Sequence, residues 1–430
     1  MDYTKKYINS ENVFLKSNIK TAYFLSVILL LYNYNSAINF LIIATIAFII
    51  ILLPLEQAII IYLFLTPWEF LITLPMIGTL TTLVAVLVLL KLLMRIFKSS
   101  SCGFTRLNIL CLLIIFIYSI INLIIYKSMA SFGILTDLVI IIYIYKIKSK
   151  KYNEFWETIF NIYIISCVFA CLHGVLYNNF ADRWVSGLGY VKQFYGTVGT
   201  SRMAIFINIA ILFTLILDYS KIKKIILLAF LYIMLFLSLS IAGLGINIFI
   251  IVLYVFVLSP KISSNLHKQK SISRYFGTII IFILFLISLY LLKDRISIIQ
   301  SIFTRAENIV NDLLIGETDR ALSGRESIFN TYIYAFSKLN IFNKIFGLGC
   351  FSPYSALGFL RYSHNTYIDL LFLGGFFLFF LFILSLFYLL YKQRNKKYFH
   401  VILLLKLIIL INGLNVSMLT AGFWYIWLFI

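Results

Sequence analysis

Two side chains in this sequence combine the chemistry needed to hold an anion and move a proton: Arg325 and His364. A guanidinium offers a fixed fork of donors and keeps its charge, so it suits a phosphate or carboxylate. An imidazole, with a reference pKa of about 6.5, is poised to accept a proton at neutral pH. Both lie in the stretch from Ser323 to Gly375, SGRESIFNTYIYAFSKLNIFNKIFGLGCFSPYSALGFLRYSHNTYIDLLFLGG. At its start Ser323 and Glu326 have the S-x-x-E spacing of a capping box, which predicts a helix with Arg325 in its first turn. Free backbone N–H groups and the positive dipole end of such a turn favour an anion. Phe329, Tyr332, Ile333 and Phe336 follow at helical spacing, Gly347 and Gly349 permit a tight turn, and His364-Asn365 stands where the chain becomes strongly apolar again.

The elements that must position these residues follow from composition. The 430-residue chain is 62% hydrophobic and 12% charged, with a mean hydropathy of +1.00, outside the range of soluble domains. Its apolar runs are long enough to cross ~30 Å of hydrocarbon. The reading is an all-α polytopic integral membrane protein with about fourteen transmembrane helices (12–14). Expected spans are 18–34, 36–54, 57–76, 78–97, 106–126, 129–147, 155–177, 202–218, 222–239, 241–259, 276–293, 364–391, 399–413 and 414–430. The polar start has no cleavable-signal pattern, so the first span is expected to be retained. With the N-terminus inside, clusters such as Lys91/Arg95/Lys98/Arg106, Lys146/Lys148/Lys150/Lys151, Lys221/Lys223/Lys224 and Lys392/Arg394/Lys396/Lys397 all fall in the cytoplasm. The Pro54-Leu55-Glu56 turn is the pivot of this threading. The net charge of +20 thus reads as the positive-inside pattern, and nucleic acid is not an expected partner.

Two extracytoplasmic loops remain within a single membrane domain of residues 1–430. The first, 178–201, is rich in glycine and aromatics and carries Arg183 and Lys192, with Arg202 at its exit. The second, 294–363, opens with Ile299, Ile302, Phe303, Ala306, Ile309, Val310 and Leu313 on one stripe, an amphipathic helix for the membrane surface. Glu69, Asp137 and Asp369 are intramembrane carboxylates, which are costly enough to draw attention as cavity residues or as partners of a buried cation. His267 and His400 fall on the cytoplasmic side and His173 near the outer end of a span. The five cysteines, Cys102, Cys111, Cys167, Cys171 and Cys350, have no metal or disulfide spacing, and no metal or cofactor is expected.

Gly324-Arg325, the aromatic Phe329, Ile345-Phe346-Gly347-Leu348-Gly349 and His364-Asn365-x-Tyr367 together resemble the signature of the bacterial O-antigen polymerase and O-antigen ligase superfamily. Gly375 matches the glycine that follows the histidine motif in ligases. Phe329 replaces the usual Trp, and Asn343-Lys344 stand where the family has a proline. The resemblance implies glycosyl transfer from an undecaprenyl-diphosphate-linked oligosaccharide at the periplasmic face of the inner membrane. The sequence has no D-x-D and no His/Asp cluster with metal-ligand spacing, so the expected transfer is metal-independent, and it is expected to invert. Arg325 would hold the diphosphate and His364 would act as base on the acceptor hydroxyl. Arg202, Arg183, Asn365, Tyr367 and Asp369 are the expected substrate-side residues, with Asn365 and Asp369 orienting rather than reacting. The family often has an arginine in a later span. Here that stretch, LSIAGLGINI from Leu239 to Ile248, has none, and Arg202 is the expected substitute. Membrane lipid and a chain-length regulator membrane protein are the implied partners. A polymerase is the first reading. A ligase transferring to lipid A core shares the motif, and a flippase or transporter is the reading from another class.

Overall fold

The computed structural model of the protein describes residues 17–32, 38–69, 71, 73–74, 78–98, 117, 120, 124, 140, 152–185, 189–197, 199–254, 297–321, 324–348, 357, 363 and 365–414. Among them the chain is mostly helical. Helix α1 is Ser17–Leu30. It is followed by α2 (Ile38–Leu52), α3 (Leu55–Phe64), a 3-10 turn (Thr66–Trp68), strands β1 (Thr73–Leu74) and β2 (Gly78–Thr79), and α4 (Leu80–Lys98). Then come α5 (Tyr152–Leu176), β3 (Phe180–Val185), β4 (Gly189–Phe194), α6 (Thr200–Ile216), α7 (Lys221–Leu237) and α8 (Ile241–Leu253). The remaining elements are α9 (Ser297–Leu314), α10 (Thr318–Ala321), α11 (Arg325–Lys338), α12 (Ile341–Phe346), α13 (Thr366–Gln393) and α14 (Phe399–Gly413).

Several helices have no polar face. On α2, Phe40, Leu41, Phe48 and Leu52 point outward, and on α13 Phe377, Phe380, Leu384 and Phe387 do the same. A helix apolar all round needs an apolar surrounding on every side. Among the described residues two helices, Glu154–Leu176 and Thr366–Gln393, are long and apolar enough to cross a bilayer. The spans expected at 106–126, 129–147, 276–293 and 414–430 lie outside the described residues or nearly so.

Three expectations change. The run 57–76 is not one continuous helix: α3 spans ten residues, about 15 Å, and then gives way to the Thr66-Pro67-Trp68 turn and the β1–β2 hairpin. The helix over 364–391 is broken at Gly374 and Gly375, which have non-helical backbone angles. Loop 178–201 contains an antiparallel hairpin, with Asp182 opposite Lys192 and Arg183 opposite Val191, so the protein is not purely α. Pro54 does mark the start of α3.

Helix α6 is central, packing against α5, α7, α8 and α14. Its buried flank meets Phe160 and Tyr163 of α5 through Phe213, at ring distances of 4.3 and 5.4 Å. The polar contacts divide between two ends. At one, Lys91 donates to the Ile50, Ile51 and Leu53 carbonyls at the end of α2, where a cation complements the helix dipole. At the same end Lys224 donates to the Leu215 carbonyl at 3.0 Å, Tyr219 bonds Asn161 at 2.7 Å, and Lys397 and Tyr398 both meet Glu157. At the other end, His173 and Tyr177 meet the Tyr32 and Leu30 carbonyls, each at 3.0 Å, and Asn365 meets Leu414 at the close of α14.

Candidate functional site

The start of α11 is built differently from a capping box. Gly324, in the left-handed region at φ 76°, is the residue before the helix, and it provides no side-chain cap. Glu326 instead accepts from the Thr318 hydroxyl, and the Asp319 carboxylate accepts from the Ser327 N–H at 2.8 Å. Arg325 is still in the first turn, but a carboxylate from α10 already serves one of the turn's N–H groups. Partial burial draws the Arg325 guanidinium below its ordinary pKa, and it remains cationic at neutral pH.

Helix α11 lies on the first half of α13. Tyr332 meets Phe372 edge-on at 5.8 Å, and Phe336 meets Phe372 and Phe376, each at 5.5 Å. Later residues of one helix thus meet later residues of the other, so the two run roughly parallel. Counting back at 1.5 Å per residue from the Tyr332–Phe372 contact, which lies ahead of the break at Gly374, Arg325 and Asn365 each stand about 10 Å before it. Their N-termini are therefore nearly flush, at the end opposite Lys91, Lys224 and Lys397.

The residues around position 364 are fixed on both sides. Asn365 caps α13: its Oδ1 accepts from the Tyr367 and Ile368 N–H groups at 2.9 and 3.2 Å, and its Nδ2 donates to the Leu414 carbonyl at 3.4 Å. The Ser363 hydroxyl donates to Asp369 Oδ1 at 2.6 Å and accepts from the Asn365 N–H at 3.1 Å. Tyr367 donates to the Leu410 carbonyl at 2.7 Å. Asn365, Tyr367 and Asp369, expected on the substrate side, therefore spend these groups on holding the chain. His364, Asp137 and Gly349 lie outside the described residues, as does the side chain of Arg183.

The glycines in this region allow backbones to touch. A Cβ on Gly347 (φ 76°) would stand 2.5 Å from the Gly374 N and the Leu373 carbonyl, and one on Gly375 (φ 61°) would stand 2.4 Å from the Ile345 carbonyl. The Leu348 N–H donates to the Phe372 carbonyl at 2.7 Å, serving a group that the break in α13 frees. Gly347 thus does more than turn the chain: it seats α12 in the break of α13.

A second group of residues gathers around the start of α6. Arg202 sits in its first turn, half-buried, close enough to the Glu69 carboxylate for its charge to act on it. Thr197 donates to the Pro67 carbonyl, and Trp68 donates to Ser166 Oγ at 3.0 Å. The Trp68 ring meets His173 at 5.8 Å. Next to it, Ala204 packs on Gly243, where a Cβ would come within 2.6 Å. Gln193 donates to the Ser238 carbonyl, Ser240 caps α8, and Asn208 bridges the Gly243 carbonyl and Asn247 at 2.8 and 2.9 Å.

Arg305 was not among the expected site residues. From α9 it donates to the carbonyl of Leu239, a non-glycine residue at φ 49°. Its position was legible: it stands three residues after Ile302 and four before Ile309, on the edge of the apolar stripe. Among the described residues no three His, Cys, Asp or Glu side chains converge. Comparison of the chain with protein-family models, curated proteins and solved structures finds no match.

Proposed function

We propose that this chain is an inner-membrane glycosyltransferase of about fourteen spans that polymerises lipid-linked oligosaccharide repeats. In this reading the lysine-bearing end faces the cytoplasm, with both termini, and the end holding Arg202, Arg325 and Asn365 faces the periplasm. The observation that carries it is the flush packing of α11 and α13, which brings Arg325 and the residues flanking His364 to one end. In the reaction an acceptor sugar hydroxyl attacks the anomeric carbon of an undecaprenyl-diphosphate-linked chain. The new C–O bond forms as the anomeric carbon–phosphate oxygen bond breaks, the proton passes to His364, and undecaprenyl diphosphate leaves. Arg325 offers its fork to the departing diphosphate, with Arg202 and Arg305 as further cations near the α8 turn. Ser363, Asn365 and Asp369 hold the backbone on either side of the base. Transfer to lipid A core uses the same chemistry with a different acceptor.

The test is transfer by purified protein in detergent, with a synthetic undecaprenyl-diphosphate-linked repeat as donor and acceptor and a chelator present. Chains longer than one repeat are expected. General-base assistance contributes about 10²–10⁴ in rate, so His364→Ala should slow transfer by that factor. Absence of elongation by the wild type refutes the polymerase reading, and full activity of His364→Ala refutes the base.

A further inference from the structure

Glu69 is 4% exposed, in a turn fixed by three independent bonds. The Thr66 hydroxyl donates to the Leu63 carbonyl at 2.7 Å, the Trp68 indole to Ser166 Oγ at 3.0 Å, and Thr197 reaches across to the Pro67 carbonyl. The last of these ties the turn to the loop that leads into α6, five residues before Arg202. Burying a carboxylate this deeply is costly unless a cation and hydrogen bonds compensate it. Arg202 is such a cation: the Thr197–Pro67 bond brings the turn against the start of α6, whose first turn carries Arg202, half-buried and within range of the Glu69 charge.

A guanidinium has five N–H donors in a rigid plane, and one carboxylate engages at most a pair of them. A carboxylate held behind the plane therefore fixes its orientation and leaves the outward donors for a second anion. A long side chain with many rotamers becomes a preorganised donor set. We infer that Glu69 is a positioning residue that aims Arg202 outward at a polyprenyl diphosphate. This rests on the glycosyl-transfer reading, because that reading supplies the diphosphate. It assigns a role to a carboxylate that the transfer chemistry itself does not use.

Two simpler roles give different outcomes. If Glu69 only neutralised Arg202, or competed with the ligand for it, removing its charge would free the cation and tighten anion binding. If the pair only held α3 to α6, its loss would lower stability and leave the affinity of the folded protein unchanged.

The experiment measures binding of farnesyl diphosphate, a soluble short-chain polyprenyl diphosphate, to the purified full-length protein in detergent micelles. Wild type is compared with Glu69→Gln, Glu69→Asp, Arg202→Gln and the double variant Glu69→Gln/Arg202→Gln, and thermal midpoints are recorded in parallel. Glu69→Gln is expected to weaken binding about 10-fold or more, in line with loss of one charge-assisted hydrogen bond. Glu69→Asp, which keeps the charge on a shorter arm, should recover part of that loss. The double variant should bind no more weakly than Arg202→Gln alone, because Glu69 acts only through Arg202. Unchanged or tighter binding by Glu69→Gln overturns the inference, as does a double variant whose loss is the product of the two single losses. If Glu69→Gln does not fold, Glu69→Asp against wild type decides by the same criterion. Failure of the wild type to bind farnesyl diphosphate overturns the glycosyl-transfer reading instead, and the inference with it.

Discussion

Replacing Gly347 with alanine tests whether the contact between α12 and the break in α13 is a true close approach. Two costs add. The residue sits at φ 76° and ψ −178°, a region essentially confined to glycine, where an L side chain is strained by about 1–3 kcal/mol. The new Cβ would also stand 2.5 Å from the backbone of Leu373 and Gly374, which cannot rotate away as a side chain tip can. Forcing an extra methyl into such a site costs about 1–3 kcal/mol. Gly316 provides a comparison, because it also has a positive φ, 81°, yet nothing within 4 Å of its would-be Cβ. Gly316→Ala therefore carries backbone strain without crowding, and the difference between the two variants contains the packing cost. That difference of about 1–3 kcal/mol corresponds to a shift of about 5- to 150-fold in the unfolding equilibrium. Tryptophan fluorescence during unfolding in mixed micelles measures it. Activity should fall in Gly347→Ala as well, because the contact anchors the helix that Asn365 caps. Equal destabilisation of the two variants would refute the close approach.

Three further outcomes follow from the same geometry. Arg325→Lys keeps a charge but loses the bidentate fork, so transfer should fall severely while the protein inserts normally; wild-type chain lengths from Arg325→Ala would remove the residue from the site. Asn365→Ala should cost about 1 kcal/mol through loss of the α13 cap, whereas Asn365→Asp should retain most of it, as thermal unfolding in detergent will show. A single cysteine placed between Asn311 and Thr318, in a background without the native cysteines, should react with an impermeant thiol reagent in intact spheroplasts. Labelling only after lysis would reverse the orientation.

The helical class and the grouping of basic residues are legible in the sequence because both are local. Long apolar runs satisfy their own backbone groups as helices, and lysines collect where those runs end. The first-turn position of Arg325 was legible for the same reason, since helix starts are written in neighbouring residues. The cap itself was not. Asp319 and Thr318, upstream in α10, provide the acceptor for the Ser327 N–H and the donor to the Glu326 carboxylate. The break of 57–76 into helix, turn and hairpin was written in Pro67 and its neighbours, but averaging hydropathy over a span conceals turn chemistry. Asn365 illustrates a subtler limit. Its residue type suits a sugar hydroxyl as well as a helix cap, and only the positions of Tyr367, Ile368 and Leu414 show where its donors and acceptor go.

The remaining features belong to tertiary structure alone. Gly347 reads as a turn residue until Gly374 and Gly375 are seen against it, and Glu69, Arg202 and Arg305 are separate charges until the bundle closes around them. Periodicity reports which face of an element is apolar. It does not report which distant element meets that face, because the meeting depends on backbone approach and side-chain reach summed over the whole packed core.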